Sequence, residues 1–275
     1  MTSLAMDVEG HAAIVTGAGS GIGRAMAEAF AAAGAQVVVG DINGEAASQT
    51  ADLICGRGQS ALAKQADASV NAGIRGLINL AHKEFGSVDI FVANAGVAGP
   101  PGLGYGDSDW DYAMAVNLRA HVRAAKLLIP GWIERGHGYF VSVASAAGLL
   151  TQIGAAAYAV SKHAAVGFAE WLAITYGDNG IGVSCVCPMG VNTALLKSAL
   201  KSPDGTEQLA ANAIINAAEV IEPDRVASVT VDAVRNGRFL ALPHPQVIDI
   251  YRRKSLDYEG WIDGMRRYQR SLARD

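Results

Sequence analysis

Apolar and polar positions along the chain follow two alternating periods. Short, Val- and Ala-rich apolar runs at 11–16, 35–40, 59–64, 88–93, 138–143, 181–187 and 238–242 predict buried strands. Between them, segments with a helical period predict helices at 21–33, 44–57, 70–85, 108–135, 155–178 and 223–235. Every strand-to-strand gap thus has room for the helix that a right-handed parallel crossover requires. The expected product is an α/β fold, a doubly wound parallel sheet of about seven strands in the order 3-2-1-4-5-6-7, with helices on both faces. No linker or low-complexity segment divides residues 1–275, so one domain is expected.

In such sheets ligands lie beyond the carboxyl ends of the strands, where the strand order reverses. Gly17, Asp41, Asp67, Asn94, Ser145 and Pro188 all fall at or just after predicted strand ends, so they converge on one edge. The first of these ends is the most telling. Ala12-Ala13-Ile14-Val15-Thr16 runs into Gly17-Ala18-Gly19-Ser20-Gly21-Ile22-Gly23 and then an alanine-rich helix. Glycines let the backbone approach a ligand closely, and the free N–H groups of the helix start form an anion site. Strand, glycine turn and helix together make the dinucleotide-binding context of a Rossmann-like sheet. Asp41 lies about twenty residues on, where a carboxylate accepts ribose hydroxyls and repels a 2′-phosphate. No lysine or arginine stands at 42 or 43, which favours NAD over NADP. The alternative for Asp41-Ile42-Asn43-Gly44 is an exposed turn carrying helix-capping residues.

Tyr158 and Lys162 are four residues apart within a predicted helix, one above the other on a single face. A phenol has an ordinary pKa of about 10, and a nearby ammonium is expected to lower it until the tyrosine can exchange a proton with an alcohol. The pair alone is a common accident of amphipathic helices, and its meaning depends on its company.

That company resembles the short-chain dehydrogenase/reductase family. Thr16-Gly17-x-x-x-Gly21-Ile22-Gly23 is similar to its cofactor turn, Ala66-Asp67-Ala68 to its adenine contact, and Asn94-Ala95-Gly96 to the motif ending its fourth strand. Asn117, Ser145, Tyr158 and Lys162 match its catalytic tetrad, with the serine thirteen residues before the tyrosine. The resemblance implies cofactor contacts at Gly17, Ser20, Gly21, Ile22, Asp41, Asp67, Ala68, Asn94, Gly96, Tyr158, Lys162, Pro188, Val191 and Thr193. It also implies reversible hydride transfer between NAD and a secondary alcohol or ketone, with Tyr158 as acid and base, Ser145 donating to the substrate oxygen, Lys162 on the nicotinamide ribose and Asn117 holding a water in a proton path. One departure stands in Pro188-Met189-Gly190-Val191-Asn192-Thr193, where Met189 replaces the family's usual glycine and makes the local loop path uncertain. A catalytically idle NAD-binding sensor or scaffold on the same fold is the competing reading; cofactor binding without turnover would favour it.

Composition narrows the rest. The chain is 275 residues long, 51% hydrophobic and 17% charged, enough for a substantial core. A formal charge of −4 offers no field for nucleic acid. No apolar run approaches a membrane span and no leader pattern opens the chain, so a cytoplasmic protein is expected. Cys55, Cys185 and Cys187 make neither a disulfide framework nor a metal knuckle, and six scattered histidines argue against zinc. The resemblance implies a substrate lid at residues 190–222; its leucines and isoleucines favour an apolar substrate or simply pack an amphipathic helix pair. Residues 244–275 form an extension whose Tyr251, Tyr258, Trp261, Met265 and Tyr268 suggest a subunit contact or a flap over the pocket. A homo-oligomer, dimer or tetramer, follows from the resemblance.

Overall fold

The strands β1 (Ala12–Thr16), β2 (Gln36–Asp41), β3 (Ala61–Gln65), β4 (Ile90–Ala93), β5 (Gly138–Val143), β6 (Ile181–Val186) and β7 (Leu240–Ala241) form one parallel sheet in the order β3-β2-β1-β4-β5-β6-β7. This is the expected order, seen in a computed structural model that describes residues 4–272. Residues 1–3 and 273–275, which the expected domain and extension include, lie outside the described residues. The central strands β1, β4, β5 and β6 are buried along their whole length, as a parallel sheet covered on both faces demands.

Alternation along each strand sends side chains to two separate cores. Ile14, Val38, Phe91 and Phe140 face one side, under helices α3 (Asn71–Phe85), α5 (Ala120–Arg135) and α7 (Ala156–Tyr176). Val15, Val37 and Val39 face the other, under α1 (Gly21–Ala32), α2 (Gly44–Cys55) and α10 (Pro223–Arg235). The reversal of strand order between β1 and β4 opens the crevice that holds the site.

Two expectations need correction. The predicted helix 108–135 is α4 (Asp107–Met114), a π-helical segment (Ala115–Arg119) and α5 in succession. The segment is only five residues long, too short to be read as a change of period; Arg123 Nη1 donates to Ala115 O, a carbonyl inside it. The predicted strand 238–242 shrinks to two residues, β7, which pairs with β6 at the sheet edge. Other boundaries fall within about two residues of those expected, the usual scatter at element ends.

The segment expected to form a lid comprises α8 (Ala194–Leu200) and α9 (Gly205–Ala217), and its two ends are zipped together. Ile221 N–H donates to Gly190 O, Asn192 N–H donates to Ile221 O, and Asn192 Nδ2 donates to Glu222 Oε1. The extension folds as α11 (Val247–Leu256) and α12 (Tyr258–Leu272). Among the described residues, no helix is long and apolar enough to cross a membrane.

Candidate active site

The turn after β1 is shaped by what has no room there. Gly17 and Gly21 have φ of +63° and +51°, values that favour glycine. A Cβ on Gly23 would overlap the carbonyl of Gly17, and one on Gly19 would come within 2.9 Å of Asp41 Oδ2. Asn94 staples the turn to the end of β4: its Nδ2 donates to Thr16 O (2.8 Å) and Gly17 O (3.2 Å), while its N–H donates to Thr16 Oγ1 (3.0 Å). Asp41 Oδ2 accepts from Gly19 N–H (2.8 Å) and Oδ1 from Asn43 N–H (2.9 Å), so the carboxylate is clasped by the turn it was expected to face. Ser20 precedes α1 with its hydroxyl uncommitted to capping.

Beyond the turn, the cleft is one continuous cavity of about 520 Å³. It is lined by Gly17, Ser20, Gly21, Ile22, Asp41, Asp67, Ala68, Asn94, Gly96, Ser145, Tyr158, Lys162, Pro188, Val191 and Thr193. Every predicted site residue except Asn117 therefore meets the same space. Asn117, fully buried in the π-helical segment, stands behind the wall: its Oδ1 accepts from Val97 N–H (2.9 Å), and its Nδ2 donates to Val97 O (2.9 Å) and Ser161 Oγ (3.0 Å). Its side-chain amide is thus bonded to Val97 and Ser161.

Lys162 is 4% exposed, and its Nζ donates to Val143 O (2.9 Å) and lies 5.8 Å from the Tyr158 ring centre. Burial lowers its pKa to about 8, opposed by the neighbouring Cys187 and Cys185. For Tyr158 the expected tuning is reversed. Burial pushes its pKa above 10, a hydrogen bond with Ser145 pulls it down, and Cys187 adds to the rise. Desolvation of the phenolate thus outweighs the hydrogen bond that favours it. Ser145 is buried at 8%; its Oγ accepts from Ala147 N–H (3.1 Å) and reaches Pro188 O at 3.4 Å. The residue type makes the set a phenol, a hydroxyl donor and a buried ammonium at the end of a crevice, able to move a proton at one substrate oxygen.

Met189 causes no distortion. Among the described residues the only non-glycine with positive φ is Thr151, so Met189 adopts ordinary backbone. The close approach falls one residue later: a Cβ on Gly190 would lie 3.0 Å from Ile214 Cγ2. Thr193 caps α8 by accepting from Leu196 N–H and sits beside Gly21.

Sequence reasoning missed Ser161, which lies between Tyr158 and Lys162 and is buried against Asn117, and Gly19, the donor to Asp41. The glycine-rich turn carried the signal for Gly19; nothing in the local pattern pointed to Ser161. His244 was also missed. It is 2% exposed; its Nδ1 accepts from Met189 N–H (3.2 Å) while Nε2 faces Glu219 O (3.1 Å), which makes it a neutral Nε2–H imidazole. Of the extension's aromatics, Trp261 and Tyr268 line the cleft together with Met265, whereas Tyr251 and Tyr258 do not.

Against known proteins, a family model described as short chain dehydrogenase matches residues 11–204. The chain is 35% identical over 208 residues to 1-deoxy-11-beta-hydroxypentalenate dehydrogenase of Streptomyces exfoliatus, covering 73% of this chain and 74% of that protein. It is 35% identical over 193 residues to 7alpha-hydroxysteroid dehydrogenase of Escherichia coli (strain K12), covering 70% and 76%. Among solved structures, a short chain dehydrogenase/reductase from Burkholderia phymatum in complex with NAD superposes with a TM-score of 0.83 at 28% identity, over 92% of this chain and 96% of that one.

Proposed function

The chain belongs to the short chain dehydrogenase family of oxidoreductases, and we propose that it transfers a hydride between NAD(H) and an apolar secondary alcohol or ketone, with Tyr158 as general acid and base. The observation that carries this reading is the convergence of Ser145, Tyr158 and Lys162 with Gly17, Gly21 and Asp41 on one cleft. The cradle fits a dinucleotide: glycine turn and helix start leave room where any Cβ would intrude, and uncommitted N–H groups at the start of α1 suit a pyrophosphate. Asp41 retains lone pairs for ribose hydroxyls and repels a 2′-phosphate, which supports NAD over NADP. Ser20, Ile22, Asp67, Ala68, Asn94, Gly96, Pro188, Val191 and Thr193 complete the cradle in this reading.

NAD, when bound, supplies the hydride acceptor in oxidation and the hydride donor in reduction. Tyr158 takes the hydroxyl proton of the alcohol, or returns it to the ketone oxygen. Ser145 donates to that oxygen, a contact of the kind worth about 3 kcal/mol when charge develops. Lys162, positioned by Val143 O, holds the cofactor ribose and passes the proton outward. Asn117 is a positioning residue that locks Val97 and Ser161 around the site. An absorbance screen of NAD reduction with varied secondary alcohols tests the reading. Turnover with NAD exceeding that with NADP is expected; NAD binding without turnover of any alcohol or ketone would contradict it.

A homo-oligomer, dimer or tetramer, belongs to the same proposal. Val160, Trp171 and Ile174 are exposed on one face of α7, with Ile174 83% accessible, an unusual cost for a face that stays in water. A monomer in light scattering would remove this part.

A further inference from the structure

The helix α12 lies beyond the segment matched by the family model, yet it walls the far end of the cleft. Trp261, Met265 and Tyr268 are spaced i, i+4 and i+7, so they form one stripe, and that stripe faces the cavity. The wall is fixed from within the same chain. Tyr268 hydroxyl donates to Ala213 O in α9 (2.8 Å), Lys254 Nζ donates to Leu149 O in the turn after Ser145 (2.7 Å), and His244 bridges Met189 to Glu219 at the base of the lid. Trp261 also packs against the core under α7. The extension is thus tied at once to the serine turn, the Met189 loop and the lid.

Charge around this end is one-sided. Among the described residues, Lys162 is the only lysine or arginine lining the cleft, and it is committed to Val143 O beside Tyr158. Among the described residues, Glu207 of α9 is the one ionisable carboxylate at the far end, and its side chain has no hydrogen-bond or ion-pair partner among them. Leu195, Ala210 and Ile214 of the same walls are apolar, and Gln152, which also lines the cleft, has its Nε2 committed to Ile153 O and Ala210 O. An anionic group arriving there would meet a carboxylate and hydrocarbon, with no cation to replace its water.

We infer that the substrate is an uncharged secondary alcohol or ketone with a bulky hydrocarbon body, whose far end is gauged by Trp261 and Met265, and that Glu207 excludes substrates carrying a carboxylate or phosphate there. This rests on the oxidoreductase reading above and deepens it. It differs from that reading in assigning specificity to residues outside the matched segment and in assigning a charge filter.

The test is steady-state NAD reduction with neutral secondary alcohols of one, two or three fused rings, each paired with a counterpart bearing a carboxylate at the end remote from the hydroxyl. Wild-type protein is expected to favour the larger neutral alcohols over both the single-ring compound and the carboxylated partners by about tenfold in kcat/KM. Met265→Trp, at a partly exposed position, should abolish the advantage of the larger alcohols while sparing the single-ring one. Trp261→Ala should shift preference upward in size, and Glu207→Gln should bring neutral and carboxylated substrates within about threefold of each other. A merely structural role would lower all substrates alike, and that result would overturn the assignment. Calorimetric binding of the same neutral ketones separates the two layers. Size-selective binding that follows the α12 variants without any NAD reduction would support the wall and refute the oxidoreductase reading; turnover indifferent to those variants and to Glu207→Gln would do the reverse. Neither binding nor turnover would overturn both.

Discussion

The two halves of the cleft are built in different ways. On the cofactor side, backbone forms the surface: a Cβ would collide with Gly17 O at Gly23, with Asp41 at Gly19 and with Ala95 at Gly17, and the Asn94 side chain holds the turn with two donated hydrogen bonds. On the substrate side, helices form the surface, and long-range side-chain contacts hold them: His244 to Met189 and Glu219, Lys254 to Leu149, Tyr268 to Ala213. A backbone surface can take few residue types at each position and suits one invariant ligand. A helical surface can exchange its side chains without moving the chain, so it is where selectivity among substrates can be set.

The sharpest way to break this division is at the residue where the halves meet. Tyr158→Phe should lower turnover by about a thousandfold while leaving NAD affinity, measured by calorimetry, nearly unchanged. Retention of a substantial fraction of turnover would remove the phenol from the chemistry. Next in size, Gly23→Ala should cost about 2 kcal/mol or more in stability to chemical denaturation and weaken NAD binding, because the new methyl meets the Gly17 carbonyl, which cannot swing aside like a side-chain tip. A silent substitution would mean that the turn is looser than its packing. Asp41→Ala should weaken NAD about tenfold and narrow its advantage over NADP. An unchanged ratio of the two affinities would take Asp41 out of cofactor choice and leave it as the clasp on Gly19.

A pH dependence probes the core beneath both halves. His121 is 1% exposed, its Nδ1 is bonded to Ser142 Oγ, and burial, assisted by the Lys162 charge, lowers its pKa from 6.5 to about 3. The unfolded chain therefore binds a proton that the folded chain refuses between these values. The stability this contributes is full above pH 6.5 and is lost as pH falls toward 3, at up to about 1.4 kcal/mol per pH unit. In His121→Leu the acid slope of unfolding free energy should be shallower across that window; an identical slope would place the acid sensitivity elsewhere. The smallest effect is expected at Thr151, which lines the substrate side with φ 75° and ψ 174°, a conformation disfavoured for a β-branched residue. Thr151→Gly should raise stability by about 1 kcal/mol; a loss would show that the threonine side chain supports the wall.

Legibility in the sequence follows the same division. Strand order, the glycine turn and the acid at the end of β2 could be read because each depends on local period or on what a residue type lacks. The tyrosine and lysine could be paired because four residues of helix fix their spacing. The reading missed what burial decides: the phenol's pKa rises because desolvation exceeds the effect of the Ser145 hydrogen bond. It was silent where partners are remote in sequence. Ser161 meets Asn117 across 44 positions, and His244 meets Met189 across 55; no periodicity encodes either. The π-helical segment was hidden because five residues, Ala115–Arg119, are too few for a change of period to be read. Met189 looked disruptive only because the glycine position was read without its neighbour; Gly190 supplies the close approach.

The most direct test of hydride transfer is isotopic. A secondary alcohol carrying deuterium on its carbinol carbon is incubated with the protein and NAD, and the recovered reduced cofactor is analysed by mass spectrometry and NMR. The account predicts that the label appears at one face of the nicotinamide ring and that Tyr158→Phe forms the labelled product far more slowly. Deuterium found only in solvent, or reduced cofactor free of label, would contradict it.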